Sequence, residues 1–73
     1  MSTTSDKIRI IINGDERDID AGKTVADLLT ELNLNPRLVV VEHNREILDR
    51  SSLDAARVAA GDVFEVVHFV GGG

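Results

Sequence analysis

The chain has 73 residues, of which 42% are hydrophobic, 29% charged and 3% aromatic, with no cysteine and a formal net charge of −5. That length supports one aliphatic-cored domain, which at this size buries only about 60% of its unfolded surface. The lack of cysteine excludes disulfides, thiolate metal sites and a thiol nucleophile within the chain, and the acidic balance argues against nucleic acid and anionic membranes, both of which bind basic patches.

No apolar run approaches the roughly 18 to 20 residues of a membrane span. The lead Met1 to Asp6 is polar rather than signal-like, so the expected location is cytoplasmic. Residues 1–6 read as a flexible lead. Lys7-Ile8-Arg9-Ile10-Ile11-Ile12 then reads as a β-branched strand, with Ile8, Ile10 and Ile12 on one face and Arg9 and Ile11 on the other. Asn13-Gly14 is a strong hairpin signal because both residues tolerate positive φ. Glu16 to Ile19 forms the returning strand. Thr24 is placed as a helix N-cap, with Asp27 completing a variant capping box. Val25, Leu28, Leu29 and Leu32 recur at i, i+3, i+4 and i+7, giving an apolar stripe on a helix of about nine residues. Asn33 to Pro36 ends it. So short a helix needs a sheet to lie on.

Leu38-Val39-Val40-Val41-Glu42 is a second strong strand, followed by a turn at Asn44-Arg45 and a short strand from Glu46 to Leu48. Ser51 to Ala60 has no clean period and reads as irregular with one helical turn. Gly61-Asp62 turns the chain into the last strand, Val63 to Phe69. The order β-β-α-β-β-β predicts an α+β roll: a mixed sheet of four to five strands with one main helix on one face. The last strand should be central, being the longest apolar one and free of proline.

Gly22-Lys23-Thr24 imitates the end of a phosphate-binding loop, but the position five before Gly22 is Arg17 and the approach is acidic. It is better read as the lead-in to the helix cap. His43 and His68 have no second metal ligand at a diagnostic spacing, and Asp15, Glu16, Asp18 and Asp20 read as a solvated hairpin edge rather than a calcium loop. No nucleophile and base can be paired. The chain therefore reads as a substrate or partner, not an enzyme. Alternation in the last strand sends Phe64, Val66 and His68 one way and Val67 and Phe69 the other. With the first set under the helix, Val67 and Phe69 would form an exposed partner-docking patch beside Val39 or Val41, unless a layer of loops covers it.

The sequence closes on Gly71-Gly72-Gly73. A terminal diglycine is a chemical handle: its carboxylate can be activated as an acyl-adenylate, and residues without Cβ fit a narrow enzyme channel. Val70 to Gly73 can reach about 13 Å at roughly 3.3–3.6 Å per residue. The plain alternative is a frayed tail.

These residues together resemble the ubiquitin-like β-grasp sulfur carriers, most closely the ThiS family of thiamine biosynthesis. The resemblance rests on Ile12-Asn13-Gly14, Gly22-Lys23-Thr24-Val25-Ala26-Asp27-Leu28-Leu29, Val39-Val40-Val41-Glu42-His43-Asn44, Gly61 to Val67, and Phe69-Val70-Gly71-Gly72-Gly73. It implies a single β-grasp domain over residues 1–73, with a flexible tail from residue 70, that is monomeric when free. It further implies that a ThiF-like adenylating enzyme activates the Gly73 carboxylate with ATP and magnesium. A cysteine desulfurase supplies the sulfur of a Gly73 thiocarboxylate, and a ThiG-like thiazole synthase accepts it. No cofactor is bound by the chain itself. Gly72 and Gly73 would be the threaded and reactive residues, and Gly71 and Val70 tail contacts. With nothing written after Gly73, no trimming step is expected. Arg45 departs from the family, where glycine commonly follows the asparagine of that turn. The rival readings are a carrier of another pathway, such as the small subunit of molybdopterin synthase, a ubiquitin-like interaction module with an inert tail, and a protein modifier that forms isopeptide bonds.

Overall fold

The computed structural model describes residues 6–68. Five strands form one sheet in the order β2-β1-β5-β3-β4, with β1 Lys7–Ile12, β2 Asp15–Asp20, β3 Val39–His43, β4 Glu46–Ile47 and β5 Val63–His68. Among the described residues one α-helix, α1 (Val25–Glu31), connects the two halves. The strands β1 and β5 run parallel and the other neighbours antiparallel. This mixed sheet with one helix is the β-grasp arrangement expected from the sequence, and β5 is its central strand.

Local chemistry accounts for each element. Asn13 and Gly14 take φ of 49° and 85°, the left-handed pair that a two-residue hairpin loop needs to match strand twist. Thr24 caps α1: its Oγ1 accepts from the Asp27 amide at 3.2 Å, and Asp27 Oδ2 accepts from the Thr24 amide at 3.1 Å. That bond from the Thr24 amide, aided by the Thr24 hydroxyl, holds the Asp27 carboxyl below the usual carboxylate range. The helix has seven residues rather than about nine because Asn33 adopts φ 60°. The Asn33 amide then donates to the Thr30 carbonyl and the Leu34 amide to the Leu29 carbonyl, a Schellman closure with asparagine in the usual glycine position.

The core lies between one sheet face and α1. Phe64, Ile10, Val25 and Leu29 are fully buried there. The strand β3 begins at Val39, not Leu38: Pro36–Leu38 is a 3₁₀ turn whose Asn35 side chain accepts from the Arg37 amide at 2.9 Å. Leu38 is exposed. Residues 49–62 are irregular apart from one 3₁₀ turn, Arg50–Ser52, as the sequence suggests. The segment still delivers Leu53 and Val58 to the core, and its backbone meets the helix start through Val25 N–H to Ala56 O and Val58 N–H to Lys23 O, both 2.9 Å. Among the described residues no helix is long and apolar enough to cross a membrane.

Candidate functional site

The strand β5 leads to the glycine end, so the features that fix it define the candidate site. At its start the Asp62 carboxylate gathers three donors. The Ala59 amide and His43 Nε2 each lie 2.8 Å from Oδ2, and Asn44 Nδ2 lies 3.2 Å from Oδ1. Burial opposes ionisation of Asp62, but the bonds from Ala59, His43 and Asn44 outweigh it and hold the carboxyl below its ordinary value. Asn44 also accepts from the Val63 amide at 2.8 Å, and the His43 ring stacks on Phe64 with centroids 4.6 Å apart. His43 is thus a structural residue on the core side of the sheet. The turn it enters has Asn44 at φ 50° and Arg45 at φ 74°. An arginine here holds the left-handed geometry that glycine would take without strain.

Further along β5 the backbone pairing with β1 ends at Ile12 opposite Phe64. A side chain then takes over. Asn13 Oδ1 accepts from the Val66 amide at 2.8 Å and Asn13 Nδ2 donates to the Val66 carbonyl at 3.3 Å. The carboxamide therefore serves as one more rung of the sheet, joining residues 53 apart in the chain. On the other edge β3 pairs with β5 as far as Val39 opposite His68. The root of the tail is consequently gripped from both sides up to Val66 and from one side to His68. Next to this root an open cavity of about 360 Å³ is lined by Ile12, Asn13, Arg17, Leu34, Val66 and His68 among others. It lies between the hairpin residues and the stretch Leu32 to Leu34 that follows α1.

The second part of the site is the sheet face turned away from the helix. Val67 is 59% exposed, Val63 40% and Ile47 71%, so among the described residues no layer of loops covers them. The register corrects one expectation: Val39 and Val41 are buried under the helix, and the cross-strand neighbour of Val67 is Val40. Glu65 stands opposite Glu42, whose other neighbour is Ile47. Beyond them Val63 pairs with Ile11. The acidic residues of β2 form an exposed margin to this face. Arg9 bonds Asp18 at 3.0 Å and Lys7 bonds Asp20 at 2.9 Å, and those hydrogen bonds lower both carboxyls.

Of the residues picked out by sequence, Val67 sits on this open face as expected. Phe69, Val70, Gly71, Gly72 and Gly73 lie outside the described residues. The Asn13 clamp and the Glu42–Glu65 pair leave no signal in the sequence, since both depend on strand register rather than on local pattern. Among the described residues no group of three potential metal ligands occurs.

The ThiS family model matches residues 10–73. The chain is 46% identical over 66 residues to a thiazole synthase of Paramagnetospirillum magneticum, an alignment spanning 90% of this chain but 20% of that protein. The chain thus corresponds to about a fifth of the length of that relative. It is 42% identical over 50 residues to the sulfur carrier protein ThiS of Bacillus subtilis, covering 68% of this chain and 76% of that one. The crystal structure of the thiamine biosynthesis protein ThiS from Geobacter metallireducens superposes with a TM-score of 0.77 at 35% identity, over 90% of this chain and 100% of that chain.

Proposed function

The chain belongs to the ThiS family, and on that premise we propose that it is a sulfur carrier for thiamine thiazole formation and itself a protein substrate rather than a catalyst. The observation that carries this reading is that the family match runs through the closing Gly71-Gly72-Gly73. Its partners are a ThiF-like adenylating enzyme, a cysteine desulfurase and a ThiG-like thiazole synthase in the cytoplasm. ATP and magnesium belong to the activating enzyme; the carrier holds no cofactor.

The chemistry assigns one role to Gly73. A carboxylate oxygen attacks the α-phosphorus of ATP and pyrophosphate leaves, so a poor electrophile becomes an acyl-adenylate. The terminal sulfur of a desulfurase persulfide attacks the acyl carbon and AMP departs. A thiol then supplies two electrons to cleave the S–S bond, leaving the Gly73 thiocarboxylate. Transfer of that sulfur to a carbonyl carbon of the thiazole precursor, with the displaced carbonyl oxygen passing to the acyl carbon, returns the carboxylate. An acyl carbon flanked by glycine is unhindered for both attacks, and Gly72 keeps the approach slim. Val70 and Gly71 contact the channel of the activating enzyme. Val67 and Phe69 anchor the docked complex. The body of the domain supports this by fixing β5 at Asn13 and Asn44.

The test is the intact mass of the chain after incubation with a ThiF-type enzyme, ATP, magnesium and a sulfur source. A gain equal to one oxygen replaced by sulfur, absent from a variant lacking Gly73, is the expected result. An unchanged mass, with the enzyme active on its own carrier, would overturn the proposal.

A further inference from the structure

We propose that the open sheet face receives its partner protein through a single cation, an arginine or lysine side chain seated between Glu42 and Glu65, with exposed aliphatic side chains closing around it. This rests on the carrier reading and assigns the chemistry of the surface that the carrier docks against. The two glutamates are direct cross-strand neighbours on β3 and β5. Like charges placed opposite one another destabilise an antiparallel pair. The other carboxylates of this face, on β2, are matched by Arg9 and Lys7, whereas Glu42 and Glu65 meet no cation among the described residues. An unfavourable pair retained in the central strand of a sheet is where an outside contact is expected.

The surroundings specify that contact. Val40 and Val67 flank the pair on one side, Ile47 lies beyond Glu42, and Val63 follows on the other side of Glu65. Three of these four are exposed. An acidic pair ringed by aliphatic groups is the complement of a basic side chain emerging from an apolar surface, and such a charge is desolvated as the ring closes. A second copy of this chain is the wrong occupant. Face-to-face pairing would bring four carboxylates together in a chain that already carries a net charge of −5. Guanidinium suits the position best, since its planar fork can bond two carboxylates at once.

The experiment measures binding of the chain to a ThiF-type adenylating enzyme by calorimetry, for the wild type, E42Q, E65Q and the double variant, alongside thermal unfolding of each free chain. The double variant should bind at least about 10-fold more weakly, with a shallower salt dependence, while its thermal midpoint is unchanged or raised. Binding within about twofold of wild type, with thiocarboxylate still formed, would overturn the cation seat and leave the carrier reading standing. A lowered midpoint would make the carboxylates structural and also overturn it. A wild-type chain that self-associates through this face in sedimentation would do the same. If the wild type neither binds nor gains sulfur, the carrier reading itself fails and this proposal falls with it.

Discussion

Replacing Asn13 with alanine removes both bonds to Val66 and leaves a residue with a Cβ at φ 49°. The bonds are partly exposed, so each contributes about 0.5–1 kcal/mol net. Holding alanine in the left-handed region costs about 1 kcal/mol more. The sum is about 2–3 kcal/mol, which in a domain of this size lowers the thermal midpoint by about 8–24 °C. Glycine at the same position keeps the turn and loses only the bonds, so it should cost about 1–2 kcal/mol. The assay is urea unfolding of wild type, N13A and N13G followed by far-ultraviolet circular dichroism, with amide exchange of Val66 and Val67 as the local readout. Alanine should be the worse of the two, and both variants should speed exchange at Val66. An alanine variant within about 0.5 kcal/mol of wild type would refute the clamp. Equal losses for both variants would refute the conformational share of the argument.

Arg45→Gly relieves a non-glycine residue at φ 74° and should stabilise the fold by about 0.5–1 kcal/mol, after the greater unfolded-state entropy of glycine is subtracted; a lower urea midpoint would show that the arginine side chain matters more than the backbone. Asp62 has its carboxyl lowered on folding, so its stabilisation is complete above the ordinary carboxylate value of about 4 and is lost as pH falls through the folded value. The urea midpoints of wild type and D62N should therefore converge on acidification below about pH 4, and a gap that stays constant would contradict the linkage. Val67→Asp replaces a side chain that is 59% exposed and should change stability by less than about 1 kcal/mol while weakening capture by the adenylating enzyme about 10-fold. An unfolded V67D chain would place Val67 in the core instead.

The parts of this fold that could be read in the sequence are those written in adjacent residues. Asn13-Gly14 specifies its turn, Thr24 and Asp27 specify the helix start, and the long apolar run from Val63 specifies a central strand. The parts that could not be read depend on phase or on distance. Leu38 to Val41 are four apolar residues in a row, so alternation says nothing about which of them face the helix. Only the pairing with β5 puts Val39 and Val41 inside and Val40 outside. Leu53 and Val58 have no periodic neighbours to mark them as core. The Glu42–Glu65 pair likewise exists only once the register is set. The candidate site was therefore legible in its position at the end of β5 and in Val67, but not in the acidic pair Glu42 and Glu65, which only the register brings together.

On the proposed carrier reading, a docking face on the strand that precedes the closing glycines in sequence has a mechanical consequence. The backbone of Val66 is bonded on one edge to Asn13 and paired on the other to Val41, so the start of the tail is a fixed point in the frame of the sheet. From His68, five residues can span at most about 17 Å, and Val67 lies one position before that origin. On that reading the Gly73 carbon would meet an adenylating site within that radius of the docked face. A docking error would move that origin with it, because β5 is bonded on both sides as far as Val66 and on one side to His68. Misplacement by 1 Å at a reacting centre can lower a rate by about 100-fold. Defects in the face should then appear first in the rate of adenylation of docked carrier, measured at saturating enzyme, and not only in affinity. A V67D chain that binds weakly yet is adenylated at the wild-type rate once saturated would show that the tail finds its site independently of the face.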